Sequence, residues 1–236
     1  MTTYLTSTAP DRESTGLQAV LLDMDGTLVD TEDFWWEAEY TLLAELGYRL
    51  GHTDREVVVG GPMSRVMAHL VAVSGVDLTV EELGAMVDAR FLALIARGVP
   101  LRPGAEALLA ELAAEGIPTV LVSAAQRQIV DVVLRTLGED RFVFTVAGDE
   151  VEQTKPHPDP YLLAAARLGA DPACCVVVED SLTGVRSGEA AGCPVLAVPS
   201  VAAIDPAPGR TVRASLEGVG VALLRSLVAD ADGVSK

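Results

Sequence analysis

Lysine is almost missing from this chain. Among 236 residues only Lys155 and Lys236 are lysine, and the other fifteen of the 17 basic residues are arginine. Lysine is a compact point charge and arginine a planar fork, so a lone interior lysine marks a place where the point charge is wanted, unless it reflects compositional drift alone. Positive charge of any kind is scarce: 34 acidic residues leave a net charge of −17. So acidic a surface repels nucleic-acid backbones and anionic lipid, and an anionic ligand would need a local island of positive charge. Cysteine is limited to Cys174, Cys175 and Cys193, with no C-x-x-C pair, which argues against a disulfide framework or a zinc site and suits buried strand positions in a reducing compartment. No uncharged apolar run reaches about 18 residues, and Met1 to Gly16 lacks the basic-then-apolar signature of a signal peptide, so the expectation is a soluble cytoplasmic protein.

What is present reads as an ordinary globular chain, 50% hydrophobic and 22% charged. Its length suffices for one α/β domain with an inserted subdomain, burying roughly 70–75% of the unfolded surface. Residues 1–16 and 229–236 read as terminal tails. Short Val/Leu-rich runs without polar alternation, at Gln18 to Leu22, Thr119 to Val122, Phe142 to Val146, Cys174 to Val178 and Pro194 to Val198, predict parallel strands covered on both faces. Helical patterns follow at Pro103 to Glu115, Gln126 to Leu137, Asp159 to Leu168 and Leu182 to Ala191, with starts and stops such as Pro103-Gly104, Gly116 and Gly169. Strand and helix in alternation imply an open, doubly wound parallel sheet. The long gap between the first two strands holds only helical patterns, including Glu32 to Leu46, Met63 to Val73 and Glu81 to Ala96, and reads as a helical insertion.

Ligands bind such sheets outside the carboxyl ends of the strands. The polar residues collect there: Asp23, Asp25 and Thr27 after the first strand, Ser123 after the second, Lys155 beyond the third, Glu179 and Asp180 after the fourth. Asp23 and Asp25 lie two apart, so the strand period points both to one side, and Gly26 permits a tight turn. One carboxylate suits a nucleophile and the other a general acid/base, provided a cation such as Mg²⁺ relieves their repulsion, with Glu179 and Asp180 as further ligands. Each residue has a plainer reading by itself. D-x-D-G also makes turns, Ser123 could cap the helix after it, Lys155 could be a solvated loop cation, and Glu179-Asp180 a capping pair.

In order and neighbours, Asp23-Met24-Asp25-Gly26-Thr27-Leu28-Val29-Asp30, Ser123, Lys155-Pro156-His157-Pro158 and Glu179-Asp180-Ser181 with Gly184 resemble the four motifs of the haloacid dehalogenase superfamily of phosphohydrolases. The resemblance runs from about Leu17 to Ser200. It implies a Rossmann-like core over 17–30 and 100–228 with an α-helical cap over 31–99. It further implies that Asp23 forms an aspartyl phosphate and that Asp25 protonates the leaving alcohol and then activates water. Ser123 and the backbone N–H of Ala124 would hold phosphoryl oxygens, and Lys155 would neutralise charge. Mg²⁺ would lie on Asp23, the Asp25 carbonyl and Asp180, with Glu179 as an additional or outer ligand. Substrate contacts are expected from Thr27, Ala124, Trp35, Trp36 and Arg65, the last following Gly60-Gly61-Pro62, although the tryptophans also fit cap packing and Arg65 a helix surface. Thr31 stands where such proteins often carry serine, and Ala124-Ala125 where polar residues are common.

The function so implied is a Mg²⁺-dependent phosphatase of a small phosphate monoester, a sugar or polyol phosphate, working as a monomer or small homo-oligomer without nucleic acid or membrane. A phosphomutase like β-phosphoglucomutase would return the phosphoryl group to a sugar, and Thr27, apolar in such proteins, leans toward hydrolysis. Asp25 speaks against dehalogenation, whose leaving group needs no proton. A receiver-like signalling domain would place its phosphorylated Asp after the third strand and lack the large insertion.

Overall fold

The computed structural model describes residues 16–58 and 63–233. Six strands form one all-parallel sheet: β1 (Ala19–Leu22), β2 (Thr119–Val122), β3 (Phe144–Val146), β4 (Cys175–Glu179), β5 (Val195–Ala197) and β6 (Arg210–Val212), in the spatial order β3-β2-β1-β4-β5-β6. The runs become strands because both faces of each are buried. Val20, Leu22, Leu121, Val176, Val178 and Leu196 pack on one side, and Ala19, Leu21, Val120, Val122, Val177 and Val195 on the other. Four expected strand starts move inward by a residue or two, and β6 is additional to expectation. The order reverses between β1 and β4, both of which lie against each other with Leu22 opposite Val178. That crevice is where a doubly wound sheet binds its ligand.

Helices α1 (Glu32–Glu45), α2 (His52–Val58), α3 (Met63–Ser74) and α4 (Val80–Ile95) fill the insertion, and α5 (Ala105–Ala114), α6 (Arg127–Leu137), α7 (Asp159–Leu168), α8 (Leu182–Ala190) and α9 (Val221–Gly233) accompany the sheet. Neither α2 nor α9 was foreseen. The last helix runs to Gly233, past Ala229, where a tail was expected to begin. Most of the expected N-terminal tail, the end of the chain and Gly60-Gly61-Pro62 lie outside the described residues.

The apolar residues of the insertion are continuous with the core on one face of the sheet. Leu43 of α1 and Leu83, Val87, Phe91 and Ile95 of α4 are buried, and the Trp35 ring stacks on Phe91 with centroids 3.6 Å apart. A reciprocal capping box starts α4: Glu82 N–H donates to Thr79 Oγ1 at 3.1 Å and Thr79 N–H to the Glu82 carboxylate at 2.9 Å. Its two connections to the sheet run side by side. Asp30 N–H donates to Pro100 O, Arg102 N–H to Leu28 O, and the Arg102 guanidinium meets Asp30 at 3.1 Å. The helices thereby stand over the carboxyl ends of the strands, where Gln126 Nε2 reaches Asp88 of α4 at 3.0 Å.

Candidate active site

The first strand delivers its carboxylates through a tight turn. Asp23 N–H still pairs with Val178 O, after which Gly26 N–H donates to Val29 O and Leu28 N–H to Met24 O. Gly26 sits at φ +80°, and a Cβ there would overlap the Asp180 carboxylate, so conformation and space both require glycine. Asp23 and Asp25 line one cavity, as their spacing predicts. Thr27 Oγ1 donates to Asp23 at 2.9 Å, and Thr31 Oγ1 to Asp25 at 2.7 Å. Burial pushes the Asp25 carboxyl above its ordinary range, with the Thr31 hydroxyl pulling the other way.

Lys155 is no solvated loop cation. Its side chain is 3% exposed, and Nζ donates to Asp23 at 2.7 Å, Glu179 at 2.6 Å and the carbonyl of Val122 at 2.8 Å. These contacts satisfy all three ammonium protons. Burial disfavours its charge, but Asp23 and Glu179 outweigh that and raise its pKa. Glu179 is spoken for on both sides. Oε1 also accepts from Tyr161 OH at 2.8 Å, and Oε2 from Asp180 N–H and from the N–H and hydroxyl of Ser181. The capping readings give way too: Ser181 caps α8, accepting from Gly184 N–H at 3.0 Å, and Gln126 occupies the cap position of α6. Ser123, buried at the end of β2, accepts instead from Ala125 N–H at 3.0 Å and stays on the cavity wall beside Ala124.

Asp23, Glu179 and Asp180 bring carboxylate oxygens within 4.8 Å of one another. One lysine does not balance them. Burial, then the charge of Glu179, raises Asp23 to about 7, and burial, then the charge of Asp23, raises Asp180 to about 8. Asp180 takes one hydrogen bond from Ser200. A cluster of hard oxygen donors short of positive charge fits a divalent cation such as Mg²⁺.

The cavity of about 430 Å³ lies between these strand ends and the helical insertion. Trp35 and Trp36 line it while also packing, Trp35 on Phe91 and Trp36 near Tyr40 with Arg55 5.0 Å from its ring. Arg65 is exposed and not on the wall, and Thr27 lies behind Asp23, so the structure does not bring these two expected substrate contacts to the cavity. Sequence reasoning missed Tyr161, Ser200, Glu39 and Asp88. Glu39 had a signal: it falls on the stripe of α1 that includes Trp35, Ala38 and Leu42, where an acid is out of place.

Residues 17–192 match the family of haloacid dehalogenase-like hydrolases. The chain is 33% identical over 184 residues to the bifunctional riboflavin kinase/FMN phosphatase of Arabidopsis thaliana, covering 77% of this chain and about half, 48%, of that protein's length. It is 30% identical over 185 residues to hexitol phosphatase B of Escherichia coli K12, covering 77% of this chain and 83% of the relative. Among solved structures it is similar to a mutant of CbbY from Rhodobacter sphaeroides in complex with xylulose-(1,5)bisphosphate, at 29% identity and a TM-score of 0.77, covering 88% of this chain and 99% of the other. Among the described residues no helix is long and apolar enough to cross a membrane.

Proposed function

The chain belongs to the haloacid dehalogenase-like hydrolase family and is a phosphatase within it, and from that premise we propose a Mg²⁺-dependent enzyme that dephosphorylates a small monoester, a sugar or polyol phosphate, through an aspartyl phosphate on Asp23. One observation carries the reading: Asp23 with Asp25, Ser123 and Lys155 come from three distant parts of the chain and converge on one cavity. The hexitol phosphatase and CbbY likenesses support the substrate class.

A carboxylate oxygen of Asp23 attacks phosphorus in line with the ester oxygen, forming the acyl phosphate as the P–O bond to the alcohol breaks. Lys155 holds that carboxylate in place and favours its charged form against the burial that raises its pKa. Asp25, whose proton affinity burial raises, is the group that gives a proton to the leaving alkoxide. It then takes a proton from the water that attacks the phosphoaspartate, releasing inorganic phosphate and restoring Asp23. Ser123 Oγ and Ala124 N–H, both from residues on the cavity wall, would hold the equatorial oxygens. Asp23, the Asp25 carbonyl and Asp180 would hold Mg²⁺, with Glu179, occupied by Lys155 and Tyr161, as an outer partner. When bound, the ion supplies positive charge to phosphate and carboxylate oxygens. Thr31 positions Asp25.

Phosphate release from a panel of esters, with and without Mg²⁺, tests this. Wild type should turn over only with the metal, and Asp23→Asn should lose roughly a thousandfold or more of kcat. Unchanged turnover in Asp23→Asn would remove the nucleophile assignment.

A further inference from the structure

The wall of the cavity that faces the strand ends is built by the helical insertion, and its chemistry is one-sided. It offers the carboxyl groups of Glu32, Glu39 and Asp88 and the indoles of Trp35 and Trp36. Among the described lining residues the single cation is Lys155, whose protons are already taken by Asp23, Glu179 and a carbonyl. Asp88 is engaged by Gln126, whereas Glu39 is 2% exposed and its Oε2 has no hydrogen-bond partner among the described residues. A buried, unpartnered carboxyl oxygen costs stability, so its presence on a ligand cavity calls for a partner that arrives with the ligand. Burial, reinforced by the charge of Glu32, raises Glu39 to about 8, so that near neutrality it both donates and accepts, as hydroxyl recognition requires.

We infer that Glu39 is a specificity-determining residue that hydrogen-bonds a hydroxyl of the leaving group, and that the substrate is a monophosphate with a neutral, hydroxylated leaving group and no second phosphate or carboxylate. A second anion would meet the acidic Glu32 and Asp88, and among the described lining residues no cation but the already engaged Lys155 would receive it. The indole faces suit the C–H faces of a sugar or polyol chain. This inference rests on the phosphatase reading above and narrows it.

The test compares wild type, Glu39→Leu and Glu39→Gln on a hexitol monophosphate, a pentulose bisphosphate, ethanolamine phosphate and p-nitrophenyl phosphate, which has no hydroxyl to offer. Glu39→Leu should lower kcat/KM for the hexitol ester by about 10–100-fold while p-nitrophenyl phosphate changes by less than about threefold. Glu39→Gln, which keeps the shape and both hydrogen-bonding roles, should fall between, and it carries the test should Glu39→Leu fail to fold. Wild type should favour the hexitol ester over the bisphosphate and the amine. Equal losses on both esters in the variants, or a preference for the bisphosphate or amine, would overturn the inference while leaving the phosphatase reading intact. No release from any ester by wild type would sink both.

Discussion

Lys155 shows how much one residue carries. Its ammonium ties the end of β2, through Val122 O, to carboxylates at the ends of β1 and β4. Removing it strands Asp23 and Glu179 in a buried site, and breaking such a pair costs about 3–5 kcal/mol. Lys155→Met should therefore lower the melting temperature by roughly 10 °C, read by calorimetry, besides abolishing turnover. Lys155→Arg keeps the charge but brings a longer, planar group into a closed space, and its kcat should fall at least about 100-fold; near-normal activity would mean that point-charge geometry does not matter. This residue was legible from composition, because one lysine among arginines stands out. Tyr161 was not, since an aromatic on a helix beside a sheet reads as core until its hydroxyl is seen on Glu179.

Among the elements, the close approach of α8 to β4 sets the fourth motif. A Cβ on Gly184 would overlap the Glu179 carboxylate, and one on Gly188 would meet Val177. Gly184→Ala should push helix and strand apart, costing about 1–3 kcal/mol, and displace Glu179 from Lys155. The expected readout is a drop in kcat with little change in KM, since the reacting groups move and the leaving-group wall does not; an unchanged kcat would show that Glu179 has room to adjust. Strands β1, β2 and β4 were readable because burial on both faces forces unbroken apolar runs. Edge strand β6 was not: Arg210–Val212 is short, only half-buried and begins on a charge that pairs with Glu189. Helix α2, with the sequence HTDREVV, has too little apolar periodicity to announce itself. By contrast α9 has the helical spacing of a buried stripe in Val221, Leu224, Leu227 and Val228, although the sequence reading does not include it.

Over the whole molecule the excess of acid becomes a pH dependence. Asp23, Asp180 and Glu39 hold protons to about 7, about 8 and about 8, against 3.8, 3.8 and 4.5 ordinarily. The folded protein thus binds protons that the unfolded chain has released, so stability is greatest below about pH 4 for these groups and falls as pH rises toward 8. Without divalent metal, the melting temperature should decline from pH 5 to pH 8. Saturating Mg²⁺ should reverse this, more at pH 8 than at pH 5, because the ion competes with those protons. At about 100 times its Kd the gain is about 2.7 kcal/mol, roughly 5–10 °C. No response to Mg²⁺ at either pH would rule out a cation site on Asp23 and Asp180. Closure of Lys155 has one more outcome. Acylating reagents and amine cross-linkers act on unprotonated, accessible lysines, and this one is neither. Amine-directed labelling or immobilisation of the folded protein should therefore spare the reaction centre, so the scarcity of lysine leaves a molecule that can be tethered to a surface with its chemistry untouched.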